Sequence, residues 1–266
     1  MTARRRPDRV AGLVLAAGEG KRFGGPKALA ELDGERLVDR AARILSLGGC
    51  DPVVVVLGAV VVDVPGADAV VVNDGWAEGM GSSLRAGLDA PGLAGCGAVV
   101  VLLVDQPGIR TTAVRRLLAA YQAGADLAQA TYAGELGHPV LLGRRHWAGV
   151  IAQAVGDVGA RGYLAEHAEA VKAVPCDGDA ADADTPAELY GGGILRRIAG
   201  EAGSAGAPLG AGLGELGGLM GGSGARAQLD EKAADVVRRQ TAPHGQDPAM
   251  EVDLDAGVAR IRRRPE

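Results

Sequence analysis

Leu13-Val14-Leu15-Ala16-Ala17-Gly18-Glu19-Gly20-Lys21-Arg22-Phe23-Gly24-Gly25-Pro26-Lys27 is an apolar run that breaks into a glycine-rich, cationic loop. Residues 10–17 have the length and composition of a buried strand. Gly18, Gly20, Gly24 and Gly25 allow sharp turns that aim backbone N–H groups at an anion, and Lys21, Arg22 and Lys27 add full charges. A polyphosphate is the expected ligand. Two familiar phosphate loops do not fit: Pro26 and Ala28 break the Gly-Lys-Ser/Thr ending of a Walker loop. The spacing of Gly18, Gly20 and Gly24 has one residue too many for Gly-x-Gly-x-x-Gly.

Outward from this loop, strand and helix signals alternate. Apolar spacing predicts a helix over residues 36–47, stopped by Gly48-Gly49, then β-branched strands over 53–57 and 69–72. A helix is expected over 82–88 after Asn73-Asp74-Gly75. Residues 98–104, Ala-Val-Val-Val-Leu-Leu-Val, read as a central strand ending at Asp105-Gln106-Pro107. Beyond it come a helix over 113–123, a strand over 127–132, a short strand over 140–142, helical pieces over 146–155 and 160–167, and a strand over 171–174. Thr185 and Pro186 fit the N-cap and first position of a last helix. This alternation predicts an α/β fold with a mostly parallel sheet.

The 266 residues suit one such domain, at 1–190, with an appendage. Glycine recurs densely from 191, so 191–226 reads as a flexible linker. Residues 227–266 read as a small tail, with a polar helix over 227–240 and a hairpin over 253–261. The net charge of -5 offers no basic excess for nucleic acid. No apolar segment is long enough for a membrane span, and Gly18 to Arg22 interrupts any signal sequence. Cys50, Cys96 and Cys176 show neither zinc spacing nor a disulfide framework. A cytoplasmic protein is expected.

In an open parallel sheet, ligands sit beyond the carboxyl ends of the strands, where the first loop, Asn73-Asp74, Asp105 and Asp184 all fall. Asp105 suits a hard divalent ion, since magnesium favours one or two carboxylates plus substrate phosphate oxygens. The alternative for Asp105 is a turn aspartate, and for Asp184 a helix-start residue. His138, His146, His167 and His244 are scattered, and no nucleophile and base pair is legible. The inventory fits positioning and charge neutralisation, which phosphoryl and nucleotidyl transfers require.

Leu15-Ala16-Ala17-Gly18-x-Gly20-x-Arg22-Phe23-Gly24-x-Pro26-Lys27, Asn73 with Trp76-x-x-Gly79-Met80-x-x-Ser83-Leu84-x-x-Gly87, Asp105-Gln106-Pro107, Gly137-His138-Pro139 and Asp184-Thr185-Pro186 occur in this order. Together they resemble the MobA-like NTP transferases, and most closely the molybdenum cofactor cytidylyltransferase (MocA-type) branch, over residues 10 to about 190. The resemblance implies a doubly wound, Rossmann-like three-layer α/β fold of the nucleotide-diphospho-sugar transferase type. It implies CMP transfer from CTP to the phosphate of molybdopterin, releasing pyrophosphate, with Mg2+ as the essential ion and Mn2+ as its alternative. Lys27 and Arg22 would neutralise phosphates and Asp105, with Asp184, would hold the metal. Leu15, Ala16, Ala17, Gly18, Gly20, Asn73, Ser82 and Ser83 would contact the nucleotide, the serines otherwise capping a helix. Gly137, His138, Pro139 and Arg161 would face the acceptor. A molybdenum hydroxylase or its maturation factor would be a transient partner. Two alternatives stay open: a sugar phosphate or other phosphorylated acceptor, and a non-catalytic maturation partner of a molybdoenzyme.

Overall fold

A computed structural model describes residues 9–190, 250–253 and 258–261. Its first strand, β1 (Val10–Leu15), is followed by a short hairpin, β2 (Glu31–Leu32) and β3 (Glu35–Arg36), turning at Asp33-Gly34. Next come α1 (Leu37–Gly48), β4 (Val53–Leu57), β5 (Ala69–Val72), α2 (Met80–Leu88), β6 (Ala98–Leu103) and α3 (Thr111–Gln122). The chain continues through β7 (Leu127–Tyr132), β8 (Glu135–Gly143), α4 (Trp147–Gln153), α5 (Arg161–Glu166), β9 (Val171–Pro175) and α6 (Pro186–Tyr190), with β10 (Met250–Asp253) and β11 (Val258–Ile261) later in the chain.

One sheet carries the fold, in the order β10-β11-β5-β4-β1-β6-β8-β7-β9. β5, β4, β1 and β6 are parallel, β8 runs against β6 and β7, and β9 is parallel to β7. The sheet is thus mostly parallel. Because successive side chains alternate between faces, its apolar strands feed two cores. Val14 and Val55 pack on one face against Ile44, Val114 and Leu117, from α1 and α3. Leu13, Leu15 and Val56 pack on the other against Leu84, Trp147 and Val150, from α2 and α4. Three layers result.

Chain order places β4 and β5 on one side of β1 and β6 on the other, so a topological switch point lies between β1 and β6. The loop after β1 and the turn after β6 leave the sheet side by side there.

Four local expectations change. The strand expected at 140–142 is the nine-residue β8, which contains Gly137, His138 and Pro139. Its pairing with β7 jumps from Gln129↔Val140 to Ala130↔Gly137, leaving His138 and Pro139 in a bulge. That is where a residue without an N–H is tolerated inside a sheet. Ser82 and Ser83 do not cap α2, which has no side-chain cap; both hydroxyls instead accept from Asn73 Nδ2, at 2.9 and 3.1 Å. The helix expected over 146–155 begins with a 3-10 turn, Arg144–His146, before α4. The hairpin expected over 253–261 is β10–β11, with β11 paired antiparallel to β5. The expected linker and polar helix at 191–226 and 227–240 lie outside the described residues.

Candidate active site

Lys27 opens a single 3-10 turn, Lys27–Leu29, at the end of the first loop. Its Nζ donates to Asp105 Oδ2 at 3.0 Å and to Asp184 Oδ1 at 2.8 Å. Arg22 Nη1 lies 2.8 Å from the other Asp184 oxygen. Three segments far apart in sequence therefore meet in one charge cluster: the loop after β1, the turn after β6 and the approach to α6. Asp184 stands there because α6 begins beside it: the Glu188 carboxylate accepts from the Asp184 and Thr185 amides, and Thr185 Oγ1 accepts from Glu188 N–H. This is a capping box, written as Thr-x-x-Glu.

Burial opposes the charge on Lys27, but the Asp184 and Asp105 carboxylates outweigh it and hold the ammonium above the usual lysine range. Its hydrogen bond holds Asp184 below the usual carboxylate range, with Arg22 adding to the effect. The side chains of Lys27, Asp105 and Asp184 are 13%, 24% and 30% exposed, enough to exchange partners with a ligand.

Above this cluster lies a cavity of about 460 Å³. Of the residues expected at the site, Leu15, Ala16, Ala17, Gly18, Gly20, Arg22, Lys27, Ser83, Asp105 and Asp184 line it. Asn73, Ser82, Gly137, His138, Pro139 and Arg161 are not in its lining. Asn73 is 8% exposed and turned inward: besides the two serines, it accepts from Gly75 N–H, knotting the loop between β5 and α2. Gly137 has a packing reason, since a Cβ there would lie 2.8 Å from Ala180 Cβ.

The loop departs from its expected use in one respect. The amides of Phe23, Gly24 and Gly25 all donate to Gly20 O, so they close the loop on itself and do not face a ligand. Gly20 is at φ +65°, and a Cβ would fall 2.0 Å from Gly25 O, so this fold of the loop requires glycine. Residues 18–22 supply the cavity-facing stretch. Trp76, Met80 and Asp157 also line the cavity. Asp157 reaches it by a contact no local pattern reveals: its Oδ1 accepts from Met80 N–H at 3.2 Å while Gly81 N–H donates to Gly156 O at 2.7 Å.

A divalent ion fits this donor set. Two carboxylate oxygens already converge on one positive centre, the Lys27 ammonium, and a nucleotide's phosphate oxygens would complete the shell of a magnesium-like ion. Among the described residues, no group of three or more His, Cys, Asp or Glu side chains could hold a metal without such help.

Burial pushes the His138 imidazole down to about 4, the Asp105 carboxylate opposing and the Arg161 guanidinium assisting. The fold thus favours neutral His138. Its contribution to stability is intact above the unfolded value of 6.5 and is lost as pH falls towards 4, by at most about 3 kcal/mol. Urea unfolding across this range should show that loss, and His138→Gln should reduce the slope; an unchanged slope would remove His138 as its source.

Residues 12–171 match the family described as a MobA-like NTP transferase domain. A protein named nicotine blue oxidoreductase, from Paenarthrobacter nicotinovorans, is 37% identical over 202 residues, covering 68% of this chain and 95% of that one. A probable molybdenum cofactor guanylyltransferase from Opitutus terrae is 38% identical over 100 residues, or 38% of this chain and 50% of its own. Among solved structures, the Mycobacterium sp. strain JC1 homologue of Mycobacterium tuberculosis Rv0371c gives a TM-score of 0.60 at 29% identity, covering 72% of this chain and 98% of that one. No helix among the described residues is long and apolar enough to cross a membrane.

Proposed function

Because the chain belongs to the MobA-like NTP transferase family, whose chemistry is nucleotidyl transfer, we propose that it transfers CMP from CTP to the phosphate of molybdopterin, releasing pyrophosphate. The observation that carries this reading is the Lys27 ammonium held between Asp105 and Asp184 under a cavity rimmed by the first loop. A Mg2+ or Mn2+ ion held by Asp105 and Asp184 would draw charge from the α- and β-phosphates.

Lys27 and Arg22 exchange their carboxylate partners for phosphate oxygens when the nucleotide enters. Lys27 then neutralises the charge that builds as the bond to pyrophosphate breaks, a role that needs a fixed cation and no covalent intermediate. The segment Leu15–Gly18 and Ser83 bind the nucleoside half. Arg161, close enough to His138 to disfavour its protonation, would receive the anionic acceptor beside a neutral imidazole.

The choice of cytidine rests on the resemblance to the cytidylyltransferase branch, with Ala17 and Trp76 both lining the cavity that would take the base. Pyrophosphate release with each of the four NTPs, Mg2+ and either molybdopterin or sugar phosphates tests the reading. CTP with molybdopterin should exceed every other combination by at least about tenfold. Equal rates with GTP would remove the cytidine assignment, and preference for a sugar phosphate would remove the acceptor.

A second reading is favoured by the relative named nicotine blue oxidoreductase. Leu15, Trp76, Met80 and Leu103 would give an aromatic substrate an apolar surface in the same cavity. Redox conversion of nicotine blue with a supplied electron donor, without pyrophosphate release from any NTP, would favour it.

A further inference from the structure

We propose that Gln106 is a positioning residue that sets the spacing between Asp105 and Asp184 by strapping residues 180–184 across the turn after β6; the inference rests on the reading of those two carboxylates as the metal-holding pair. Asp105 follows β6 directly, a strand buried over Ala98–Leu102, and the Val104 amide donates to Leu15 O at 3.2 Å. Asp184 lies on an irregular segment between β9 and α6; the Glu188 cap ties it to α6, and the stretch that leads to it from β9 needs a second anchor.

Gln106 is 8% exposed, and its Nε2 donates to Asp182 Oδ1 at 2.8 Å and to Ala180 O at 3.2 Å. Between these contacts and Asp184, the Ala183 amide donates to Asp105 O at 2.8 Å. The residue next to one carboxylate thus grips the segment that carries the other. The strap also has little slack. A Cβ at Gly108 would lie 2.5 Å from Asp179 O, and one at Gly137 would lie 2.8 Å from Ala180 Cβ.

The Gln106 amide is not explained by stability alone. Its Oε1 is buried with no hydrogen-bond partner, a state that folded proteins largely avoid. Leucine at this position would leave no orphaned oxygen, and Asp182 is exposed enough for water to replace its lost partner. Both amide protons are spent on the strap while the oxygen goes unpaired. The side chain is therefore placed for what its nitrogen holds.

Mn2+ titration followed by electron paramagnetic resonance, with and without α,β-methylene CTP, tests the assignment in the full chain. Gln106→Leu should weaken Mn2+ binding by about tenfold or more, and Asp182→Asn, which keeps an acceptor oxygen, should stay within about twofold of wild type. The Tm of Gln106→Leu should stay within about 5 °C of wild type. Unchanged Mn2+ affinity in Gln106→Leu would overturn the inference. So would a loss of affinity accompanied by a larger fall in Tm, which marks general unfolding. Wild type that binds no Mn2+ in either condition would overturn the metal reading of Asp105 and Asp184, and this inference with it.

Discussion

Lys27→Met should lower kcat/KM for pyrophosphate release by about a thousandfold, and should at the same time tighten the binding of Mn2+ in the absence of nucleotide. The first effect follows from removing the more buried of the two cations in the cluster, the one proposed to meet the charge that builds on the phosphates. The second follows from the resting geometry. Lys27 Nζ bonds both carboxylates, at 3.0 and 2.8 Å, so a metal ion must compete with an ammonium already in place. Methionine keeps the length of the side chain and removes that competitor. Charge-assisted hydrogen bonds are worth about 1.5–3 kcal/mol each, so a gain of at least about fivefold in Mn2+ affinity is expected even after the freed carboxylates regain water. Steady-state kinetics and Mn2+ titration of one protein preparation measure both. Normal turnover would remove Lys27 from the mechanism, and weaker Mn2+ binding would show that the ammonium helps to hold the carboxylates in place.

Asp105→Asn should have the other large effect, a loss of Mg2+-dependent turnover of about a thousandfold with little change in fold. Asparagine matches the size of aspartate and still offers Lys27 an oxygen, but it lacks the charge that a hard divalent ion demands. Asp184→Asn should be milder, about ten- to a hundredfold, because Asp184 is the more exposed of the two and Arg22 also engages it. Thermal denaturation separates these effects from misfolding: in both variants Tm should move by no more than about 5 °C. Equal turnover by wild type and Asp105→Asn would exclude Asp105 as a metal-holding group.

Much of this was legible in the sequence where a single segment carries its own signal. The continuous apolar runs of β1, β4 and β6 declared strands buried on both faces, and the alternation of strands with helices declared the sheet's mostly parallel character. Lys27, Asp105 and Asp184 could be placed at strand or helix ends, hence on one rim. What local pattern could not carry was the choice of partners within the rim. Asn73 looks like a ligand residue, but its amide has two serine hydroxyls within reach on α2 and bonds both. Phe23, Gly24 and Gly25 offer amides to a phosphate, but Gly20 O is nearer. Asp157 carries no motif, and Gln106 stands in Asp105-Gln106-Pro107 without a role of its own; each acquires one through a contact with a segment more than seventy positions away. Pro139 masked β8, because proline within a short apolar run argues against a strand unless a bulge is foreseen.

The pairing of β11 with β5, Val258 with Val71 and Ala259 with Val70, bears on synthesis as well as on architecture. While the chain emerges from a ribosome, residues 69–72 complete their pairing with β4 long before their other neighbour exists. During that interval the Val-rich strand presents a row of unsatisfied amides and carbonyls, the feature through which nascent chains join one another. Pairing with β11 ends that exposure and places β5 inside the sheet, between β4 and β11.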